Sequence, residues 1–186
     1  NELLLDAAEA ALEKIRQSTE GSEMLVFVGA PLRCVNELYN CAVCIQSGRF
    51  LGVVPKSYLP NYKEFYEKRW FSAFTPGKTS CEITINHHTV PFGGDLIFES
   101  GKVKVGVDIC EDLWVPIPPS SFYALHGANV IVNLSASNEL IGKHQYLVDL
   151  IKHQSAAGIL AYVYSSAGYG ESSTDLVFAG NGIVCE

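Results

Sequence analysis

Short apolar runs bounded by turn residues constrain the fold of this chain most strongly, because they have the length and β-branched content of buried strands. The turns at 47–49 and 100–101 each separate two such runs, which predicts a hairpin and a second strand pair. Residues 175–186 are predicted to form a last hairpin around Gly180-Asn181-Gly182. The other predicted strands are 24–31, 39–46, 50–56, 89–100, 102–110, 129–137 and 159–168.

Helical segments fall between some of these strands. Apolar residues recur at helical spacing over 1–17, and helices are also predicted at 118–126 and 141–157, each followed by a glycine. Residues 57–78 lack clean periodicity, which predicts a long irregular segment of the kind that often carries function. Because strands outnumber helices and alternate with some of them, the sequence predicts an α/β layered sandwich.

Composition narrows the class of protein. The 186 residues are 48% hydrophobic and 18% charged, which is typical of one globular domain. A net charge of −7 without clustered Lys and Arg argues against nucleic-acid binding. No stretch reaches the roughly 20 apolar residues of a membrane span. The acidic start lacks the features of a signal peptide, so we expect a cytoplasmic protein whose six cysteines are reduced.

Most of the cysteines are predicted to be core residues. Cys41 and Cys44 have a C-x-x-C spacing, but they lie in a predicted strand, where an odd separation places them on opposite faces. A shared metal or redox site is therefore not favoured, and ordinary buried thiols are expected. The same interpretation applies to the cysteines that have no ligand at metal spacing, namely Cys34, Cys81 and Cys185.

Cys110 differs because it stands at the end of a predicted strand, immediately before Glu111 and Asp112. Such a position presents the sulfur at a sheet edge, where reacting groups of α/β enzymes lie. A nucleophile and a buried cysteine that closes a core strand both fit this pattern. The adjacent carboxylates oppose thiolate formation, so a basic group must stand nearby. Lys56, at the end of another strand, is a better candidate than the five histidines, although an ordinary exposed lysine fits its position too.

Four segments carry a resemblance to a known family: 53–71, 105–116, 127–137 and 161–182. They resemble the nitrilase, or carbon-nitrogen hydrolase, superfamily, and most closely the amidase domain of bacterial glutamine-dependent NAD synthetases. The resemblance covers essentially the whole chain in family order. It implies a nitrilase-like four-layer α-β-β-α sandwich, with residues 1–186 as one domain truncated at its N-terminus.

The resemblance also implies a Glu-Lys-Cys triad. Lys56 lies in the family's K-x-x-L-P context, and Cys110 lies in its C-E-D context. A further family glutamate follows the lysine and braces the site; Glu64 fits best by spacing, and Glu67 is its rival. The triad glutamate precedes the first family helix, and none of the acidic residues near the start of this chain matches it.

By position, the resemblance places glutamine against Tyr62, Glu111, Trp114 and Ser137, with Glu111 facing the substrate ammonium. It implies hydrolysis of glutamine through a Cys110 thioester, with Lys56 stabilising the oxyanion. The released ammonia would reach an ATP-dependent ligase that amidates deamido-NAD. No metal or cofactor is expected in this domain, because ATP and Mg²⁺ would serve a separate synthetase domain.

Two alternatives stay open at the level of sequence. One is a stand-alone nitrilase-type amidase with another amide substrate. The other is a catalytically incomplete fragment that only folds and binds, and we expect negligible glutaminase activity from these 186 residues alone.

The full-length protein is expected to form a homo-oligomer without nucleic-acid or membrane partners. The enzymatic hypothesis requires the Lys56 amine and the Cys110 sulfur to face one pocket.

Overall fold

The computed structural model describes residues 1–75, 77–171 and 176–186. The chain divides into two compact units. Unit 1 comprises Asn1–Leu59 and Glu67–Leu96, and unit 2 comprises Pro60–Tyr66 and Ile97–Glu186. In the described part of the chain, ten strands form two five-stranded sheets, one in each unit.

Unit 1 is a largely antiparallel sheet with one helix. Its strands follow the spatial order β1-β2-β3-β5-β4, and only the β3–β5 pairing is parallel. Among the described residues between β3 and β4, the only regular element is the short 3₁₀ helix Glu67–Arg69. The elements are α1 (Glu2–Ser18), β1 (Val26–Cys34), β2 (Glu37–Gln46), β3 (Arg49–Pro55), β4 (Cys81–Ile85) and β5 (His88–Phe92).

The amphipathic pattern of α1 explains its place in unit 1. Leu12 of this helix is 2% exposed and belongs to the same apolar cluster as Val43 and Ile45 of β2. Burying such a leucine stabilises the fold by about 2 kcal/mol. At the other end of β2, the Tyr39 ring packs edge-on against Phe74 and Phe92, with ring centroids 6.2 and 5.3 Å away. Phe74 is thereby anchored although it lies in the irregular segment.

Unit 2 has three central parallel strands, with helices as crossover connections. The spatial order is β10-β9-β8-β7-β6, and β7, β8 and β9 are parallel neighbours. Their carboxyl ends therefore lie at the same edge of the sheet. The elements are β6 (Phe98–Ser100), β7 (Val103–Ile109), α2 (Pro119–Leu125), β8 (Val130–Ser135), α3 (Lys143–Gly158), β9 (Ala161–Ser166) and β10 (Gly182–Cys185).

Close packing of α2 on β7 depends on a glycine. A Cβ atom at Gly106 would lie 2.5 Å from Cγ of Tyr123, so the tyrosine ring occupies the space of the missing side chain. Ile131 of β8 and the α3 residues Leu147 and Ile151 extend the same core. Both helices thus cover one face of the sheet, and the predicted α/β class is confirmed.

Two strand predictions are wrong. The first concerns 89–100, because β5 ends at Phe92 and only Phe98–Ser100 pairs with β7. The hairpin partner of β5 is β4, a strand that the sequence analysis missed. Asn86 and His87 join them, both with positive φ, 47° and 72°, and form a two-residue hairpin turn without the usual glycine.

The second is the last hairpin. Its first residue, Asp175, lies outside the described residues, and β10 pairs with β9 instead of folding back on 176–179. Phe178 forms a bridge with Asn138, and the Ala179 N–H donates to the Ser137 carbonyl. Residues 177–179 therefore pair their backbone groups with the loop after β8. No helix of the described ranges is long and apolar enough to cross a membrane.

Candidate functional site

Cys110 occupies a strained turn at the carboxyl end of β7. It is the first residue of the 3₁₀ helix Cys110–Trp114, and its φ of 50° lies in the left-handed region. That conformation costs a non-glycine residue about 1–2 kcal/mol, so the surrounding structure must hold it. The residue is partly exposed. A strand–cysteine–helix turn of this kind projects the sulfur beyond the sheet edge, as in nucleophile elbows.

Asp112 fixes this turn from beneath. Its side chain is almost fully buried, and Oδ2 accepts a hydrogen bond of 2.9 Å from the Ile109 N–H. The next residue, Leu113, is 0% exposed and packs in the unit 2 core. The two residues that follow Glu111 therefore anchor the turn, while Cys110 and Glu111 remain at its outer side.

A buried carboxylate lies two residues before Cys110. Asp108 accepts hydrogen bonds from the Ser120 N–H at 3.0 Å and from the Tyr162 hydroxyl at 2.9 Å. The Tyr162 oxygen in turn accepts from Asn133 Nδ2 at 3.1 Å. Burial raises the pKa of Asp108 to about 6, although the bonds from Ser120 and Tyr162 act in the opposite direction. This network ties β7, β8, β9 and the start of α2 together directly below the turn.

Tyr62 and Glu111, two of the four predicted substrate residues, contact each other. The Tyr62 hydroxyl lies 3.0 and 3.1 Å from the two carboxylate oxygens of Glu111. Burial and the hydrogen bond to Glu111 raise the pKa of Tyr62 to about 12, so the phenol keeps its proton and donates. The residue that follows Cys110 in the chain is therefore a carboxylate, Glu111, held in place by the Tyr62 hydroxyl.

Lys143, which the sequence analysis did not single out, lies beside two of the predicted substrate residues, Ser137 and Trp114. Lys143 Nζ donates to Ser137 Oγ at 2.9 Å and to Asn138 Oδ1 at 2.5 Å. It also lies 5.2 Å from the centre of the Trp114 ring. Trp114 itself stacks on Tyr146, with ring centroids 5.7 Å apart. The predicted residues Ser137 and Trp114 are thus brought together by one ammonium.

The electrostatic setting of Lys143 connects it to Cys110. Burial lowers the pKa of Lys143, whereas electrostatic interactions with the side chains of Cys110 and Glu64 act to raise it. Glu64 accepts a hydrogen bond from Asn138 Nδ2, and the same Asn138 contacts Lys143. The sequence signal that could have revealed Lys143 is its place at the start of a helix shortly after the end of β8.

Lys56 lies in unit 1, and the alternative of an ordinary exposed lysine is wrong. Its side chain is 1% exposed at the end of β3, and its Nζ pairs with Glu67 Oε2 at 2.7 Å. Asn40 Nδ2 donates to the other Glu67 oxygen at 3.3 Å. This contact favours Glu67 over Glu64 as the glutamate that braces Lys56. The expectation that Lys56 and Cys110 face one pocket stays a prediction.

The other cysteines match their prediction only in part. Cys41 and Cys44 are buried as expected; burial raises the pKa of both thiols, to about 12 for Cys44. Cys81 is exposed, however, and its sulfur lies 3.4 Å from that of Cys34. The prediction of a buried thiol is therefore wrong for Cys81. Within the described ranges, no group of three or more His, Cys, Asp or Glu is placed to hold a metal ion.

Comparison with known proteins identifies the class. Residues 2–184 match the carbon-nitrogen hydrolase family, so the chain belongs to that family. Its relatives include the glutamine-dependent NAD(+) synthetase of Mycobacterium tuberculosis, which is 46% identical over 188 residues covering 98% of this chain. The enzyme of the same name from Thermotoga maritima is 33% identical over 176 residues. The chain spans 27% of the length of each of these two relatives.

Solved structures agree. A glutamine-dependent NAD(+) synthetase from Cytophaga hutchinsonii superposes with a TM-score of 0.81 at 27% identity, covering 96% of this chain and 29% of that one. A carbon-nitrogen hydrolase from Helicobacter pylori shares the fold, with a TM-score of 0.75 at 19% identity and coverage of 99% and 63%. The predicted nitrilase-like fold is therefore confirmed.

Proposed function

We propose that this chain is the glutamine-hydrolysing part of a glutamine-dependent NAD synthetase, with Cys110 as the nucleophile. The observation that carries the proposal is the left-handed turn at Cys110, which is accompanied in unit 2 by groups of opposite charge, Glu111 and Lys143. Glutamine carries an α-ammonium and an α-carboxylate group beside its side-chain amide, so a site for it needs groups of both charges. The names of the relatives support the same assignment.

The charged residues suggest how glutamine would be oriented. Glu111, held by Tyr62, would bind the α-ammonium group. Lys143 and Ser137, already within hydrogen-bond distance of each other, would bind the α-carboxylate. Trp114 would provide an apolar wall along the side chain. This arrangement retains the four substrate residues expected from sequence and adds Lys143.

The proposed reaction begins when Cys110 Sγ attacks the side-chain amide carbon and forms a tetrahedral oxyanion. The backbone N–H that follows Cys110 and the ammonium of Lys56 would stabilise that oxygen; one such donor is typically worth about 10²–10³ in rate. A general base, a glutamate in the family triad, would take the thiol proton and return it to the leaving nitrogen, so that the C–N bond breaks, ammonia departs and a Cys110 thioester remains. Water then hydrolyses the thioester to glutamate and free Cys110.

Glu67 is the residue we assign to support Lys56, because their 2.7 Å ion pair holds the Lys56 side chain in a fixed orientation. Glu64 would act on the substrate side through Asn138. We propose that this half-reaction uses no cofactor, and that ATP and Mg²⁺ serve the step that consumes the ammonia. Homo-oligomeric assembly and cytoplasmic location stay predictions.

The test replaces the nucleophile in the complete enzyme. Cys110→Ser is expected to lower glutamine hydrolysis at least about 10³-fold, because the hydroxyl is a far weaker nucleophile at neutral pH. Synthesis of NAD from added ammonium should continue, which would show that the protein is folded. Cys81→Ser, at an exposed cysteine of unit 1, is the matched control and should hydrolyse glutamine normally. Near-normal ammonia release by Cys110→Ser would remove Cys110 from this role.

A stand-alone amidase acting on simple amides is the weaker alternative. A simple amide has no charged groups, and it would leave Glu111 and the Lys143–Ser137 pair without a function in binding. Both types of enzyme share the fold of this chain. Hydrolysis of glutamine in preference to an uncharged amide of equal length would separate the two.

A further inference from the structure

Two cysteine sulfurs meet in unit 1, at the ends of strands that are far apart in sequence. Cys34 is the last residue of β1, and Cys81 is the first residue of β4. Their Sγ atoms lie 3.4 Å apart, and both thiols are free. Neither residue has a part in the proposed hydrolysis.

The two thiols differ in a way that suits sequential oxidation. Cys81 is exposed, so a small oxidant in solvent reaches its sulfur. Cys34 is 6% exposed, and burial raises the pKa of its thiol to about 11. Cys34 is therefore protected from direct attack while its sulfur stays in contact with Cys81. This is the arrangement of an accessible cysteine with an adjacent resolving cysteine.

We propose that Cys34 and Cys81 form a reversible intramolecular disulfide when the protein meets a peroxide. The Cys81 thiolate attacks one peroxide oxygen, the O–O bond breaks, and a sulfenic acid and hydroxide form. The Cys34 sulfur then attacks the Cys81 sulfur, so that the S–S bond forms as the S–O bond breaks. The leaving hydroxide takes the Cys34 proton. In total, two thiols lose two electrons and one peroxide becomes two molecules of water.

The surroundings favour this pair over other pairings in the described part of unit 1. Cys41 and Cys44 are both 0% exposed, and they lie on opposite faces of β2. The ammonium of Lys78 lies close enough to Cys34 to favour its thiolate, although the carboxylate of Glu37 opposes this effect. Lys78 is itself fixed by a 2.8 Å contact with Glu37.

The bond would have a mechanical consequence. It would join the end of β1 to the start of β4 and close a loop that contains β2, β3 and the segment carrying Lys56 and Glu67. Phe74, in the part of that segment nearest Cys81, already packs on Tyr39. Oxidation would therefore restrict the irregular segment at its downstream end.

The experiment uses the reduced 186-residue chain and hydrogen peroxide at a small molar excess. Intact mass is expected to fall by two hydrogens, and proteolysis without reductant should yield a peptide that joins Cys34 to Cys81. The oxidised chain should melt on the order of 10 °C higher, because the closed loop is long. Dithiothreitol should reverse both changes.

Variants decide the assignment. Cys81→Ser, at an exposed position that tolerates the change, should abolish the cross-link and the rise in melting temperature; Cys34→Ser should do the same. Cys185→Ser, in unit 2, is the matched control and should behave as the native chain. A cross-link that survives in Cys81→Ser would overturn the proposal. So would oxidation of Cys81 in the native chain to sulfinic acid without a Cys34–Cys81 peptide.

Discussion

The buried carboxylate below the Cys110 turn makes the stability of this protein depend on pH in an unusual direction. Burial raises the pKa of Asp108 from 3.8 to about 6. Between these two values an unfolded chain has released the proton, whereas the folded chain still holds it. The stabilising contribution is therefore fully present below about pH 4 and is lost as pH rises through about 6. Most carboxylates of folded proteins behave in the opposite way.

The magnitude follows from the shift. Each unit of pKa corresponds to about 1.4 kcal/mol, so a rise of roughly two units changes the free energy of unfolding by about 3 kcal/mol. Asp108→Asn removes the titrating group, while the Asn carbonyl can still accept the hydrogen bond from the Ser120 N–H. The native chain should accordingly lose about 3 kcal/mol relative to the variant between about pH 4 and pH 7.

Urea unfolding of both proteins at a series of pH values measures this difference directly. Subtraction cancels the carboxylates that the two proteins share, such as Glu13 and Glu37, whose partners lower their pKa to about 2. The largest change should fall between pH 4 and 6, with little further change above pH 7. A difference that is flat, or that rises in favour of the native chain with increasing pH, would refute the reasoning.

Two further substitutions test packing and substrate binding. Gly106→Ala should destabilise the chain by about 1–3 kcal/mol in urea unfolding, because its Cβ would overlap the Tyr123 ring. Gly182→Ala, with no atom within 4 Å of its new Cβ, is the control, and equal effects would contradict the packing argument. In the complete enzyme, Tyr62→Phe removes the hydrogen bonds to Glu111 and should raise KM for glutamine about 5–10-fold with kcat nearly unchanged. A fall in kcat at constant KM would place Tyr62 in the chemical step instead.

Sequence reasoning found the strands whose apolar runs are long and uninterrupted. It placed Cys110 at a strand end, since the run 102–110 stops there. It missed β4 because that strand has five residues and its turn, Asn86-His87, lacks the glycine that usually marks such a hairpin. The left-handed backbone of Cys110 was equally invisible, because no local signal requires a cysteine to adopt it.

The candidate site residues also differ in whether the sequence alone reveals them. Tyr62, Glu111, Trp114 and Ser137 followed from the family resemblance, whereas Lys143 resembles any lysine at the start of a surface helix. Its role emerges only when the fold brings it to Ser137 and Trp114. Spacing alone could not choose between Glu64 and Glu67, since the segment that contains them has no regular periodicity. The contact of Glu67 with Lys56 favours Glu67.

In the proposed function, the left-handed backbone at Cys110 links the reactivity of its thiol to completion of the fold. In a disordered chain that residue relaxes into the commoner regions of φ, and its sulfur has no preferred direction. In newly synthesised or partly denatured molecules, Cys110 therefore lacks the oriented neighbours that the proposed attack on an amide requires. If Cys110 is the nucleophile proposed above, the native assembly of strands and helices is what orients its sulfur for attack, so misfolded copies would be catalytically silent.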